Sequence, residues 1–141
     1  CTDDASEKLR CSLLSIQSRC FDLGADLATP EGARNSDKVG RIDDSDVVVL
    51  EGLIDHYQAA APEIRCFVLP GGCELAARLH IARTVCRRAE RLMVHLNHAE
   101  AVTPEAIRWV NRLSDLLFAM SRAVNHAAGL EDVPWEPKGG A

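Results

Sequence analysis

Four segments of the chain carry apolar residues three and four positions apart, the spacing that aligns side chains along one face of an α-helix. The four stripes lie within Leu9–Leu27, Val47–Tyr57, Glu74–Asn97 and Ile107–Val124. No stretch alternates apolar and polar residues as a half-buried β-strand does. Because only 4% of the residues are aromatic, we expect an aliphatic core. The spacing predicts an all-α, antiparallel up-and-down bundle of four to five helices.

The members of each stripe are the candidate core residues. The first two stripes are Leu9, Leu13, Ile16, Cys20, Leu23 and Leu27, and then Val47, Leu50, Ile54 and Tyr57. The third is Leu75, Leu79, Ala82, Cys86, Ala89, Met93 and Leu96. The fourth is Ile107, Val110, Leu113, Leu117, Met120 and Val124.

Proline, glycine and capping residues mark the ends of these helices. The Thr29–Gly32 segment ends the first helix, and Asp43–Ser45 offers N-caps for the second. Thr103, followed by Pro104, predicts the start of the fourth helix, with the threonine hydroxyl as its cap. That helix is expected to stop near Gly129.

Two segments outside the helices are expected to be extended. Cys66–Gly72 is a short apolar piece whose glycine pair lets the backbone approach another group closely. The Pro/Gly-rich end of the chain is expected to be extended or disordered. We therefore divide the chain into a helical-bundle domain at 1–130 and a C-terminal tail at 131–141.

Composition narrows the class of partner. The net charge of −5 disfavours a general nucleic-acid binder, and no apolar run reaches the roughly 20 residues of a membrane span. The six cysteines form no Cys-x-x-Cys pair, and we expect a reducing, cytoplasmic setting. Cys11, Cys20 and Cys86 fall inside helical patterns, where a free cysteine acts as a small hydrophobe.

The charged run from Arg83 to Arg91 is the most informative candidate site. Positions 83, 87, 90 and 91 share one helical face, which offers three guanidinium groups and the Glu90 carboxylate. Arginine binds phosphate through two parallel hydrogen bonds, so the run predicts a polyphosphate site. The alternative is a lattice of salt bridges, or a solvated helix face, with no ligand.

Polar residues interrupt the fourth stripe and suggest a second wall of this site. Asn111 and Asp115 share a face, and the alternative for Asp115 is a buried hydrogen-bonded pair with an arginine of another helix. Phe67 is, from the residues alone, best interpreted as a core side chain in a tight connection. His80 is expected either to line the pocket of Arg83 or to be an ordinary core histidine.

Other cofactor motifs are weak in this chain. The spacing of His95 and His98 suits a metal, but no third ligand lies nearby. The Glu-x-x-His pairs of di-iron bundles do not occur, and neither do the glycine loops of Walker or Rossmann nucleotide sites.

Four ordered motifs carry a family resemblance. They are Ile16-Gln17 with Phe21–Leu27, Phe67–Gly72, Ala82–Arg91 and Asn111–Phe118. Taken in this order, over nearly the whole chain, they resemble the PduO-type ATP:cob(I)alamin adenosyltransferases. The resemblance implies a helix bundle that assembles as a homotrimer, with active sites between subunits. It implies transfer of the 5′-deoxyadenosyl group of ATP, used with Mg²⁺, to cob(I)alamin, with release of triphosphate.

The resemblance also implies residue roles, none of them that of an acid or base. The ATP-binding residues would be Arg87, Arg88, Ala89, Glu90, Arg91 and Asn111. Glu90 is also a candidate Mg²⁺ ligand, and Arg83, Arg87 and Asp115 would position the reactants. Phe67 would close the lower face of cobalamin, exclude the axial base and leave cobalt four-coordinate. Arg83, with His80 nearby, would support the cobalamin side through a salt bridge to an aspartate of the first family helix.

The chain departs from the family pattern at its start. The family's Thr-Arg-Thr-Gly-Asp-like nucleotide loop and its Asp-Glu-Leu-Asn-like helix do not occur here, and we expect them to precede Cys1 in the full-length protein. A flavin-type reductase and an adenosylcobalamin-dependent enzyme are the expected protein partners. The alternatives to an enzyme are a non-catalytic cobalamin-binding or delivery module and a helical oligomerisation domain.

Overall fold

The computed structural model describes residues 4–30, 32–34 and 36–139. It contains four α-helices in this order: α1 (Asp4–Ala28), α2 (Asp44–Ala59), α3 (Glu74–Leu96) and α4 (Pro104–Ala127). A 3-10 turn, Ser36–Lys38, lies between α1 and α2. The all-α bundle is confirmed, with helix bounds close to those that the apolar stripes predict. None of the described helices is long and apolar enough to cross a membrane.

The core is built around α4, which packs against both α2 and α3. More than half of the 24 residues of α4 are buried, and Trp109, Leu116 and Met120 are almost fully enclosed. Burying an apolar side chain of this size stabilises the fold by about 1.5–3 kcal/mol. Because two neighbours cover α4, its buried surface is wider than one stripe, and it includes polar residues such as Arg122 and Asn125.

The stripes of α2 and α4 are confirmed, but those of α1 and α3 are partly wrong. Cys20 on α1 is exposed, as is Cys11, so the expectation that they act as small hydrophobes holds only for Cys86. Cys86 is buried on α3, and burial raises the pKa of its thiol to about 12. The remaining cysteines are exposed or half-buried free thiols, except Cys1, which lies outside the described residues.

The face that α3 buries is also different from the predicted one. Leu75, Ala82 and Ala89 are exposed, whereas Ala76 and His80 are buried. The apolar residues Ile81, Val85 and Leu92 are exposed as well, and they belong to the uncovered side of this helix. The physical reason is that α3 makes extensive contact with α4 alone, so one partner selects which side of the helix is covered.

The helix starts differ in how they are capped. The Asp43 carboxylate accepts hydrogen bonds from the backbone N–H groups of Ser45 and Asp46, and the Asp46 carboxylate accepts one from the backbone N–H of Asp43. This confirms the predicted cap of α2. Thr103 does not cap α4 through its side chain, so that expectation is wrong. Its hydroxyl instead donates to Asp26 Oδ1 at 3.4 Å. The buried carboxylate of Asp26 also accepts a hydrogen bond from Arg41 Nη1 at 2.6 Å. This carboxylate therefore attracts the polar groups that lie near it.

Residues 66–72 and residues 131–137 of the C-terminal tail are extended, as expected, and they pair with each other. Residues 140–141 lie outside the described residues. Val68 and Pro134 form an isolated antiparallel bridge. The N–H of Leu69 donates to the carbonyl of Val133 at 2.8 Å. The N–H of Trp135 donates to the carbonyl of Phe67 at 2.7 Å. The tail therefore lies against the segment that carries Phe67.

Gly72 makes the close approach that the sequence suggests. Its φ is +104°, in the region that favours glycine, and a Cβ there would collide with the side chain of Asn125. Asn125 accepts a hydrogen bond from the N–H of Cys73 and donates one to the carbonyl of Gly71, both at 3.0 Å. This amide side chain therefore fixes the junction between the loop and α3.

We predict that Gly72→Ala lowers the free energy of unfolding by about 2–4 kcal/mol, because it strains the backbone and displaces Asn125. Urea denaturation measures the change. Gly71→Ala is the matched control, since a Cβ at Gly71 meets no atom within 4 Å, and it should stay within about 1 kcal/mol of the wild type. Equal losses in both variants would contradict the role of the Asn125 contact.

Candidate functional site

The charged run of α3 divides between two places rather than forming one face. Arg83 is half-buried, and its guanidinium carbon lies 5.3 Å from the centre of the Phe118 ring on α4. Arg87, one turn later, lies with its Nη1 2.5 Å from Glu90 Oε2. Helical spacing alone predicts that Arg83, Arg87 and Glu90 share one site. In the structure, Arg83 lies apart from the Arg87–Glu90 pair.

Glu90 joins α3 to α4. Its side chain is only 14% exposed. Its second oxygen accepts from Asn111 Nδ2 at 2.8 Å, and Asn111 Oδ1 accepts from Arg112 Nη2 at 2.7 Å. We call the chain of Arg87, Glu90, Asn111, Arg112 and Asp115 the Glu90 network. A cleft of about 330 Å³ opens beside it, lined by Glu51, Glu90, Ile107, Arg108, Asn111 and Arg112.

Asp115 does not form a buried pair with an arginine of another helix. Its Oδ2 lies 3.1 Å from Arg112 Nη2 of the same helix, and both side chains are more than a third exposed. The link between helices is made one turn earlier, by Asn111. Asp115 therefore orients Arg112, a residue that sequence reasoning passed over although it lies inside the polar stretch of the fourth stripe.

Arg88, Ala89 and Arg91 are exposed on α3. Within the described part of the chain, neither of these arginines forms an ion pair with a carboxylate. Their charges are available to an anion in solution, whereas Arg87 already has a partner. The salt-bridge alternative therefore applies to Arg87 and Glu90 but does not account for the other two arginines.

A second opening, which we call the Phe67 groove, lies on the other side of Arg83. It has a volume of about 780 Å³ and is lined by Ile64, Arg65, Cys66, Phe67, Val68, Arg83, Phe118, Trp135 and Pro137. Phe67 is 78% exposed, so its interpretation as a core residue is wrong. Its ring meets Trp135 edge to face, with the ring centres 6.1 Å apart. Aromatic walls with an arginine above them suit a large, flat, partly charged ligand.

His80 lies beneath this groove rather than in its wall. It is 8% exposed and packs against Phe118 with ring centres 6.2 Å apart. Its Nδ1 has no hydrogen-bond partner among the described residues. Burial lowers the pKa of the imidazole, the charge of Arg83 lowers it further, and Asp132 opposes them. His80 is therefore a packing residue beneath the groove, and its lowered pKa favours the neutral imidazole.

The residues described include no group of three or more histidine, cysteine, aspartate or glutamate side chains that could hold a metal. The rings of His95 and His98 lie 6.5 Å apart between their centres. Both oxygens of Glu90 accept hydrogen bonds from the protein. A Mg²⁺ ion bound to Glu90 would have to replace one of them.

Phe118 and Trp135 are groove residues that sequence reasoning did not assign to the site. Phe118 stands at the end of the fourth motif, and Trp135 is one of two tryptophans in a chain poor in aromatics. The sequence signal for Trp135 is that it is an aromatic residue in a Pro/Gly-rich tail. No local sequence pattern predicts that position 135 contacts position 67.

Comparison with known proteins identifies one family. The family model described as cobalamin adenosyltransferase matches residues 1–124. A cobalamin adenosyltransferase of Cupriavidus metallidurans is 44% identical over 134 residues, which cover 94% of this chain and 68% of that protein. A corrinoid adenosyltransferase of Bacillus subtilis is 44% identical over 130 residues, covering 92% and 65%. The chain thus spans about two thirds of the length of these curated relatives.

Solved structures agree with the sequence comparison. A variant PduO-type ATP:corrinoid adenosyltransferase from Lactobacillus reuteri, complexed with cobalamin and ATP, superposes with a TM-score of 0.86 at 36% identity. That match covers 96% of this chain and 74% of the other. Another variant from the same organism, complexed with ATP, gives a TM-score of 0.84 at 36% identity, covering 95% and 74%.

We predict that His80 makes stability depend on pH. Because its folded-state pKa lies below the ordinary value of 6.5, its contribution to stability is present above that pH and is lost as pH falls toward the folded pKa. The loss is at most about 1.4 kcal/mol per pH unit. Urea denaturation at about pH 7.5 and about pH 5.5 should show a smaller decrease for His80→Leu than for the wild type. An identical decrease in both proteins would contradict the assignment.

Proposed function

Because the chain belongs to the cobalamin adenosyltransferase family, we propose that it transfers the 5′-deoxyadenosyl group of ATP to cob(I)alamin. The products are adenosylcobalamin and triphosphate. The observation that carries the proposal is the arrangement along α3, where Arg83 reaches the Phe67 groove and Arg87 begins the Glu90 network one turn later. A corrinoid and a nucleotide would then be held side by side.

We assign the nucleotide to the exposed face of α3 and the Glu90 network. Arg87, Arg88 and Arg91 supply charge for the phosphates, next to the backbone of Ala89. Glu90 accepts a hydrogen bond from Arg87 and so orients it, and Asn111 holds Glu90 in place by donating to its other oxygen. Arg112, which Asp115 orients, adds a guanidinium beside the same cleft. A set of arginines can stabilise the charge that develops on departing triphosphate, and Mg²⁺ bound to the phosphates would share this task.

The reaction depends on the positioning of the two substrates rather than on acid–base chemistry. The electron pair of Co(I) forms the bond to C5′ of ATP, while the C5′–O bond breaks and its electron pair leaves with triphosphate. No proton has to move in this step, so it requires no general acid or base. Holding the two substrates in line can supply roughly 7–11 kcal/mol of the barrier.

The corrinoid is assigned to the Phe67 groove. The exposed ring of Phe67 would cover the lower face of cobalamin and exclude the axial base, leaving four-coordinate cobalt, which is easier to reduce. Arg83 would support this side of the site from above the Phe118 ring. His80 would act from beneath, by packing against Phe118, without touching the ligand.

We further propose a homotrimer with sites between neighbouring subunits. In the single chain, Phe21 on α1 and Ile81, Val85 and Leu92 on α3 are exposed apolar residues. Exposed large apolar side chains that adjoin one another mark protein interfaces, and these residues are candidates for one. A cytoplasmic location, a flavin-type reductase that supplies cob(I)alamin and an enzyme that uses the product belong to the same proposal.

The direct test uses the full-length protein with ATP, Mg²⁺ and chemically reduced cobalamin, and it follows adenosylcobalamin by its absorption spectrum. Product formation is the expected result. Calorimetric titration with ATP separates the alternatives, because an oligomerisation domain would not bind it. A protein that binds cobalamin but yields no product would instead be a delivery module.

We predict that Arg87→Ala lowers kcat/KM by about 30- to 1,000-fold, equivalent to about 2–4 kcal/mol of transition-state stabilisation, and leaves the fold intact. The fold is preserved because this side chain is nearly half exposed. Arg78→Ala is the matched control, since Arg78 is on the same helix and also pairs with a carboxylate, that of Glu74. Near-normal activity of Arg87→Ala would remove Arg87 from the site.

We predict that Phe67→Ala impairs cobalamin reduction and turnover at least about tenfold while changing the KM for ATP less than about twofold. Because Phe67 is exposed, the substitution leaves no cavity in the core, and the melting temperature should stay close to that of the wild type. Reduction of bound cob(II)alamin and steady-state kinetics provide the measurements. Equal losses for both substrates would show that Phe67 has no specific role toward the corrinoid.

A further inference from the structure

We propose that Arg122 and Trp135 are positioning residues for Phe67. Arg122 attaches the C-terminal tail to the loop that carries Phe67, and Trp135 of that tail supports the Phe67 ring. The proposal rests on the proposed function, because it concerns how the corrinoid side of that site is held. Neither residue belongs to the charged run or to the Glu90 network.

Arg122 is a buried cation that contacts two separate segments. Its side chain is 7% exposed on α4, and its Nε lies 2.7 Å from Asp132 Oδ2 at the start of the tail. Its Nη2 donates to the carbonyl of Pro62 at 2.6 Å, where the loop leaves the end of α2. A buried charge is tolerated only when it is paired and hydrogen-bonded. The two segments are therefore held against α4 by the same guanidinium.

Asn125, one turn further along α4, holds the other end of the loop. It bonds to the carbonyl of Gly71 and to the N–H of Cys73. The loop between Pro62 and Cys73 is thus fixed to α4 at both ends, by two buried side chains three residues apart. Its middle, which contains Phe67, is held differently.

The middle of the loop is fixed by the tail. The backbone hydrogen bonds of Leu69 to Val133 and of Trp135 to Phe67 lie on either side of the Val68–Pro134 bridge. Trp135 then places its ring edge to face with Phe67. Such an aromatic pair is worth about 0.5–1.5 kcal/mol beyond its buried area.

Phe67 depends on these contacts because the rest of its surface is exposed to solvent. Ordering a loop before the ligand arrives removes an entropy cost that binding would otherwise have to meet. Trp135 is itself 48% exposed and lies outside the core, so the geometry points to a local support rather than a folding residue.

The attachment of the tail is tested first, without any ligand, by amide hydrogen exchange in the full-length protein. Asp132→Asn keeps the size of the side chain and removes the charge that pairs with Arg122. We expect the amides of Leu69 and Trp135 to exchange about tenfold faster, because a charge-assisted hydrogen bond is lost, while amides inside α4 stay unchanged. Glu136→Gln is the matched control in the same tail and should leave both amides as in the wild type. Unchanged exchange in Asp132→Asn would overturn the attachment.

The effect on Phe67 is tested with Trp135→Ala and Trp135→Phe. With cob(II)alamin and ATP, Trp135→Ala should lose at least about half of the four-coordinate absorption signal, lower kcat about tenfold and change the KM for ATP less than about twofold. Trp135→Phe retains an edge-to-face partner and should recover most of the signal.

A normal signal in Trp135→Ala, or an equal loss of ATP binding, would overturn the positioning role. These outcomes differ from failure of the proposed function, in which the wild-type protein itself forms no adenosylcobalamin. In that case the exchange experiment still decides whether Arg122 attaches the tail.

Discussion

The burial of α4 between α2 and α3 is the constraint on which the rest of the structure depends. The polar side chains of a helix covered from two sides need hydrogen-bond partners within the protein, because an unpaired buried polar group costs several kcal/mol. Ser114 and Ser121 do so by bonding to backbone carbonyls of their own helix. Arg122 and Asn125 instead reach outward to the loop and the tail. The demand for hydrogen-bond partners in the core thus determines where the connecting segments lie.

The same helix supplies one wall of both candidate binding regions. Asn111 bonds to Glu90 near one end of α4, and Phe118 lies beneath Arg83 about two turns later. On α3, Arg83 and Arg87 are separated by about 6 Å of helix rise. Because both walls are rigid helices, the distance between a corrinoid in the groove and a nucleotide beside the Glu90 network would be fixed by the fold. Fixed separation is what a reaction governed by orientation requires.

Several residues of the two openings carry a signal in the sequence, and others do not. The motifs that resemble the family contain Phe67, Arg83, Arg87 and Asn111. Phe67, Arg83 and Asn111 line the two openings, and Arg87 pairs with Glu90 of the cleft wall. The core interpretation of Phe67 failed because an apolar residue has no local signal of exposure. The prediction that Thr103 caps α4 is wrong because its hydroxyl donates a hydrogen bond to Asp26, which is distant in sequence. Asp115 does not link two helices, because Asn111 is the residue of α4 whose side chain bonds to α3.

The sequence by itself determined the four helices, their approximate ends and the identity of the charged side chains, because helical spacing, capping and proline act within a few residues. Only the tertiary structure decided which side of α3 is covered, that Arg83 packs on Phe118 apart from the Arg87–Glu90 pair, and that Trp135 meets Phe67. The physical reason is that these outcomes depend on contacts between residues far apart in the chain. A helix presents several faces of similar composition, and its neighbour selects the one that is buried.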